Sequence, residues 1–181
     1  FGLLDPGELV IDGGKPRQAG TIDSLDSKLM GFFREKAERD LFVFSSGVIG
    51  RDYLTQSLHY PICSWLQASP PVRKMLLLPR KHAKTSIVSH CLPAHILIQP
   101  KEHNVYLPGR HGANTRIMLA GEAETRASNN LRVIESAFET NEYLRALWPD
   151  RCWANPQREA KVWNSRAMVI PRPIAFADPS I

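Results

Sequence analysis

Lys74-Met75-Leu76-Leu77-Leu78-Pro79-Arg80-Lys81-His82-Ala83-Lys84-Thr85 is the stretch on which the fold reading turns. An apolar run stops at a cationic, polar turn that ends in Lys-Thr. Ile87, Val88, Cys91 and Leu92 then keep helical spacing. A buried strand, a tight loop and a helix N-terminus in that order are the layout of a phosphate-binding loop. The first backbone N–H groups of a helix have no intrahelical partner and attract an anion. Lys84 would add a mobile charge for the β/γ phosphates, and the Thr85 hydroxyl would ligate Mg²⁺. The common pattern, G-x-x-x-x-G-K-[ST], has glycines where this chain has Leu78 and Ala83. On these residues alone, a basic surface turn between a strand and a helix stays open as the alternative.

Working outward, Pro70-Pro71 breaks the chain before the loop strand. Upstream, Leu58, Ile62, Trp65 and Leu66 have helical spacing, with Pro61 expected in the first turn. Leu41 to Ile49 is a short apolar segment closed by Gly50, and a helix is expected from Ser24 to Asp40 with Leu25, Leu29, Phe32 and Phe33 on one face. Residues 1–22 read as an arm or linker. Downstream, Pro93 should kink or end the helix that follows the loop. Residues 100–114 read as a surface loop, and Thr115 to Ala120 as a second strand. Ala127, Leu131, Ile134 and Phe138 mark a helix, Asn141 to Trp148 a shorter one, and Val162 to Ile170 a further strand. Strands alternating with helices predict an α/β fold: a parallel sheet flanked by helices, with Thr115–Ala120 parallel to Lys74–Leu78.

A length of 181 residues suffices for one domain with a core, and 43% hydrophobic with 23% charged residues is ordinary globular usage. The net charge of +5 suits a polyanionic partner without requiring one. Cys63, Cys91 and Cys152 match no metal-site spacing, and scattered cysteines suggest a reducing compartment. No run is long and apolar enough to span a membrane. The chain opens on Phe1 instead of Met, which suggests processing or a piece of something longer.

Three stretches together resemble the ATPase region of bacteriophage terminase large subunits, the motors that package DNA into capsids. The first is Asp40-Leu-Phe-Val-Phe-Ser-Ser-Gly-Val-Ile-Gly-Arg-Asp-Tyr-Leu-Thr55, followed by His59-Tyr-Pro-Ile-Cys-Ser-Trp-Leu66. The second is Leu78–Thr85, where that family has Pro-Arg, a variable turn and Lys-[ST]. The third is Arg116-Ile-Met-Leu-Ala-Gly-Glu122, leading to Ala127-Ser-Asn-Asn-Leu131 and Glu139-Thr-Asn-Glu-Tyr-Leu144. The likeness covers roughly residues 40 to 172 and implies a RecA/ASCE-like P-loop NTPase fold, incomplete at its C-terminus. Residues 1–40 would be an arm and helix, and 41–181 a partial ATPase domain.

By the same resemblance Pro79, Arg80, Lys81, His82, Ala83, Lys84, Thr85 and Ser86 would cradle ATP, with Thr85 on Mg²⁺. Lys84 and Arg80 would act in catalysis, Arg80 reaching the γ-phosphate or the transition state; a surface arginine is the alternative for Arg80. The implied partners are double-stranded DNA, a portal protein, a small terminase subunit and further copies in a ring, pentameric in expectation. The implied location is the bacterial host cytoplasm, with transient docking at the procapsid portal. The family's acidic strand motif, catalytic Glu and nuclease domain have no convincing counterpart. Ile174-Ala175-Phe176-Ala177-Asp178 imitates the acidic motif, but Pro173 and Pro179 flank it and no Glu follows. The fragment alone is therefore expected to hydrolyse ATP negligibly. A non-catalytic nucleic-acid- or anion-binding module, or another P-loop enzyme such as a helicase, are the competing readings.

Other residues carry weaker chemical suggestions. Gln56 and His59 stand where that family places adenine contacts, or are ordinary helix-start residues. Glu122 and Glu124 could be paired carboxylates, or acids that complement a helix dipole. Trp148, Trp153 and Trp163 could stack on bases, or pack in the core. Lys101, Arg110 and Arg116 could border a DNA track, or lie in a solvated loop and strand edge.

Overall fold

Helices form where the apolar periodicity is longest. The computed structural model describes residues 20–68 and 73–172. Helix α1 spans Gly20–Arg39. Leu29 and Phe32 are 58% and 62% exposed, so the inward face is set instead by Phe33 and by Ala37, which is fully buried. Asp40 then caps α2, Leu41–Val43, its Oδ1 accepting from Phe42 N at 2.8 Å and Val43 N at 3.2 Å. A wide π-helical turn, Phe44–Val48, continues α2. Gly50, at φ +73°, reverses the chain. Helix α3 is Gln56–Gln67. Pro61 lies inside it, past the first turn expected from the sequence. Gln67 joins α3 to the α1–α2 corner: its Oε1 accepts from Leu41 N and its Nε2 donates to Arg39 O, both at 2.9 Å.

Pro93 neither ends nor interrupts the helix after the loop. The chain is helical from Lys84 through a π-helical turn at Thr85–Cys91 into α4, Leu92–Ile98. A proline ring in a regular helix collides with the carbonyl four residues back. The wider turn just before Pro93, closed by Leu92 N to Ile87 O, is a place where that collision is relieved. A 3₁₀ turn, Gly112–Asn114, packs on the end of α4. A Cβ at Gly112 would lie 2.0 Å from the Ile96 carbonyl oxygen, so only glycine permits the approach. Helix α5 is Glu124–Thr140, and α6 is Glu142–Leu147 with Asn141 as its cap. A 3₁₀ turn at Pro149–Arg151 and α7, Pro156–Glu159, precede a short hairpin.

The expected parallel sheet is not formed among the described residues, and the α/β P-loop NTPase architecture is corrected to a mainly helical one. The strands in this region are β1, Trp163–Asn164, and β2, Ala167–Met168, paired antiparallel. They turn back on each other within the run read as one strand, because Asn164 Oδ1 accepts from Arg166 N at 3.0 Å and Ala167 N at 3.1 Å. Residues 73–78 and 115–120 have no helical or ladder structure, so the predicted parallel pairing does not occur. Met75, Leu77 and Met118 are 79%, 81% and 87% exposed. A parallel sheet needs both faces covered. Here the helices bury their apolar sides against one another, around Phe44, Ile87, Cys91, Ile98, Phe138 and Trp148.

Buried polar groups stitch this core. Trp148 Nε1 donates to Glu38 Oε1 at 2.9 Å, and Arg34 Nε donates to the same oxygen at 2.9 Å. Burial pushes Glu38 up, but the hydrogen bonds from Arg34, Trp148 and His103 outweigh it and hold the carboxyl below its usual value. Gln99 Nε2 donates to Glu38 O at 2.8 Å.

Candidate functional site

The loop after residue 78 has an unusual backbone. Lys81 and Ala83 sit at φ +67° and +51°, the left-handed region that non-glycine residues rarely enter. Lys84 follows in the right-handed helical region at φ −49°, and the helix starts there. A left-handed residue next to a right-handed one, as at Ala83 and Lys84, turns successive N–H groups toward a common side, the concave arrangement that binds anions. The structure thus places Ala83 at positive φ with its methyl group present, at the position where the common pattern has glycine.

Side chains close the loop. Lys84 Nζ donates to the carbonyl oxygen of Leu78, linking the end of the loop to its beginning. His82 Nδ1 lies 2.9 Å from Arg80 O, so this imidazole serves the loop's own shape. Lys74 Nζ donates to Trp65 O, Leu66 O and Ala68 O at 2.7, 2.9 and 2.6 Å, capping the C-terminus of α3 and anchoring the approach to the loop. Pro79, Arg80, Lys81 and Thr85 are exposed, and Ser86 is half-buried. Tyr53 Oη donates to Ser86 Oγ at 2.8 Å. This link from the 50–55 turn to the loop helix was missed in the sequence; its signal was only an aromatic residue in Arg51-Asp52-Tyr53 after Gly50.

The remaining candidates are dispersed. His59 Nδ1 accepts from Thr55 N at 2.9 Å, so that ring nitrogen caps its own helix, while Gln56 is exposed. Glu124 Oε1 is 2.9 Å from Arg166 Nε, and Glu122 Oε2 is 3.8 Å from Arg126 Nη1. Both carboxylates are exposed, with Glu124 in the first turn of α5. Trp148 is fully buried, and Trp153 Nε1 donates to Val169 O at 2.7 Å. Trp163 packs against the core from β1. Lys101, Arg110 and Arg116 are exposed. Asp178 lies outside the described residues.

Burial pushes the Cys63 thiol up to about 12 and Cys152 to about 11, and raises Cys91 as well. None of the three is a thiolate at neutral pH. Among the described residues, no three His, Cys, Asp or Glu side chains group to hold a metal, and no helix is long and apolar enough to cross a membrane.

Two cavities lie away from the loop. One, of about 430 Å³, is bordered by the 115–119 segment, α5 and the β2 end, with Leu131, Ile134, Met168, Arg116 and Arg172 among the residues that line it. The other, of about 370 Å³, lies between Ile49 and Arg51 and the C-terminal half of α5. In comparisons with known proteins, no family model, no curated protein and no solved structure matches this chain.

Proposed function

We infer that this chain carries the nucleotide-binding segment of an ATP-driven, DNA-translocating motor of the terminase large-subunit kind. The reading rests on the loop itself and makes no use of a parallel sheet. Its supporting observation is the backbone of residues 81–84: two left-handed non-glycine residues, Lys81 and Ala83, within the three positions before a helix start. Each such residue costs about 1–2 kcal/mol. Strain of this kind clusters at ligand clamps, where the surrounding structure holds it. The motif Pro79-Arg80-x-x-x-Lys84-Thr85 adds the cations and hydroxyl that a nucleoside triphosphate with Mg²⁺ requires.

The roles follow from chemistry. N–H groups of residues 81–86 face the phosphates. Lys84 leaves the Leu78 carbonyl to pair with β/γ oxygens, a stronger, charge-assisted contact. Thr85 offers its hydroxyl to Mg²⁺, and exposed Arg80 reaches the γ-phosphate. Tyr53 holds Ser86 and so steadies the first helical turn. Hydrolysis then uses positioning and electrostatics. Double-stranded DNA, a portal, a small terminase subunit and a ring of copies are the partners this reading carries, in a bacterial cytoplasm.

The test is calorimetry of Mg-ATP binding to the chain and to Lys84→Ala. Deleting one charge-assisted contact worth about 1.5–3 kcal/mol weakens binding roughly ten- to a hundredfold. Equal affinity in the two proteins sinks the assignment.

A further inference from the structure

We propose that the contact between His111 and Arg151 is a proton-sensitive latch. It holds the Gly112–Asn114 turn to the Pro149–Arg151 turn while the imidazole is neutral, and lets go when the ring takes a proton. Arg151 Nη2 lies 2.7 Å from His111 Nε2. A guanidinium nitrogen only donates, so His111 Nε2 accepts, and the neutral ring carries its proton on Nδ1. A second proton, on Nε2, would set two donors and two positive charges against each other at that distance. The contact therefore does not survive protonation, and its two halves separate.

Arg151 is the fixed half. Its side chain is 6% exposed, and its Nη1 is 3.1 Å from Asp150 Oδ2. Asp150 Oδ1 in turn lies 3.9 Å from Arg34 Nη2 on α1. His111 is half-buried and directly precedes the 3₁₀ turn, so it is the half that moves. The other ties of that turn are backbone bonds that do not titrate: Gly112 N to Gln99 O at 2.9 Å and Asn114 N to His111 O at 3.0 Å. Among the described residues, the charged groups that bear on the imidazole come from two other segments. Arg151 and Asp150 belong to the Pro149–Arg151 turn, and Glu102 to the loop after α4. Arg34 and Glu38 on α1 act on Arg151 behind it. His103, beside Glu102 in sequence, faces Glu38 instead, at 3.0 Å. Arg110 and Arg116, on the segment of His111 itself, are exposed. Burial first and Arg151 second push the ring below its ordinary 6.5, and Glu102 and Asp150 offset this only in part. The latch is thus complete above 6.5 and is lost as pH falls through the lowered value. The turn runs on into Thr115, Arg116 and Leu119, which with Ala113 line the larger cavity, so acid loosens one wall of that cavity. None of this depends on the loop at residues 78–86.

The test follows ring and turn together by NMR, between about pH 8 and about pH 4.5, on either side of the ordinary histidine value. The His111 ring is expected to titrate below 6.5, and Glu102→Gln, an exposed change that removes an opposing charge, to lower that midpoint further. Amide protection at residues 112–115, corrected for intrinsic exchange, is expected to fall about tenfold in step with the ring. In His111→Gln the side-chain oxygen can accept from Arg151 but takes no proton, so the fall disappears there. A His111 midpoint at or above 6.5 overturns the proposal. So does protection at 112–115 that is unmoved across the ring's titration, or that falls equally in His111→Gln. The first two readings use the wild-type chain and an exposed variant, so they decide the matter even where His111→Gln does not fold.

Discussion

Ala83 holds a left-handed backbone with a side chain that penalises it, φ +51°, and it also packs against the core. Glycine at this position would release about 1–2 kcal/mol of steric cost in the fold. It would also give the unfolded chain more freedom, offsetting about 0.4–1 kcal/mol of the gain. Ala83→Gly is therefore expected to stabilise the protein by about 0.5–1 kcal/mol in urea unfolding, and Ala83→Val to destabilise it by more than about 1 kcal/mol. If both variants unfold at the wild-type midpoint, the loop is not left-handed there. The comparison bears on function too, because a loop that keeps costly geometry with alanine is held by its surroundings, including the Lys84–Leu78 closure. The glycine-to-alanine replacement visible in the sequence thus leaves the loop shape attainable, at a cost that only the backbone angles disclose.

Between elements, His95 is a buried polar tie of α4 to α1. Its Nε2 is 2.8 Å from Ala37 O and must donate, so Nδ1, 2.6 Å from Tyr106 Oη, accepts in the neutral ring. Burial pushes this imidazole down to about 4, against an ordinary 6.5. Between those values the unfolded chain binds more protons than the fold. The contribution is complete above about pH 6.5 and is lost as pH falls toward 4, amounting to about 2 kcal/mol between pH 7 and pH 5. Urea unfolding at the two pH values should show that loss, and His95→Gln should remove its share. Burial lowers His90 and His111 as well, so a smaller slope persists in the variant. Equal slopes in the two proteins would refute the neutral, buried assignment. Helices of this kind were legible from spacing: Ile134 and Phe138 on α5, and Asn141 capping α6, stand where the periodicity places them. The extended runs were not. A short apolar stretch such as Met75–Leu78 fits strand, helix or open chain equally, and its pairing depends on partners that local pattern does not encode. The cavity between Ile49, Arg51 and α5 was equally hidden, since no local signal marks it and only the placing of residues 49–51 beside α5 forms it.

At the scale of the whole molecule, the helical core leaves two segments without helix or ladder structure at the surface, residues 73–78 and 115–120. Residues 73–78 alternate between exposed and half-buried side chains, the pattern of a strand, yet make no ladder among the described residues. Met75 and Leu77 project outward at 79% and 81% exposure, and Met118 on the second segment at 87%. An extended edge offers unpaired N–H and C=O groups to another chain, and exposed apolar side chains add a hydrophobic reason to associate. The net charge of +5 opposes association, and salt screens that repulsion. The expected outcome is reversible self-association that strengthens with salt. Burying one Leu or Met side chain contributes about 1.5–3 kcal/mol. Even after losses to ordering at an interface, a Met75→Ser, Leu77→Ser double variant should weaken association by at least about tenfold. Sedimentation velocity over a range of protein concentrations, at low and high salt, measures it. Association that is insensitive to the double variant would place the contact elsewhere. A wild-type chain that stays monomeric as concentration and salt rise would show that its exposed edge is not enough to draw copies together. The substituted side chains point away from the Lys74 anchor on α3, so the loop geometry and the Mg-ATP titration should be unchanged in the same variant, separating assembly from phosphate binding.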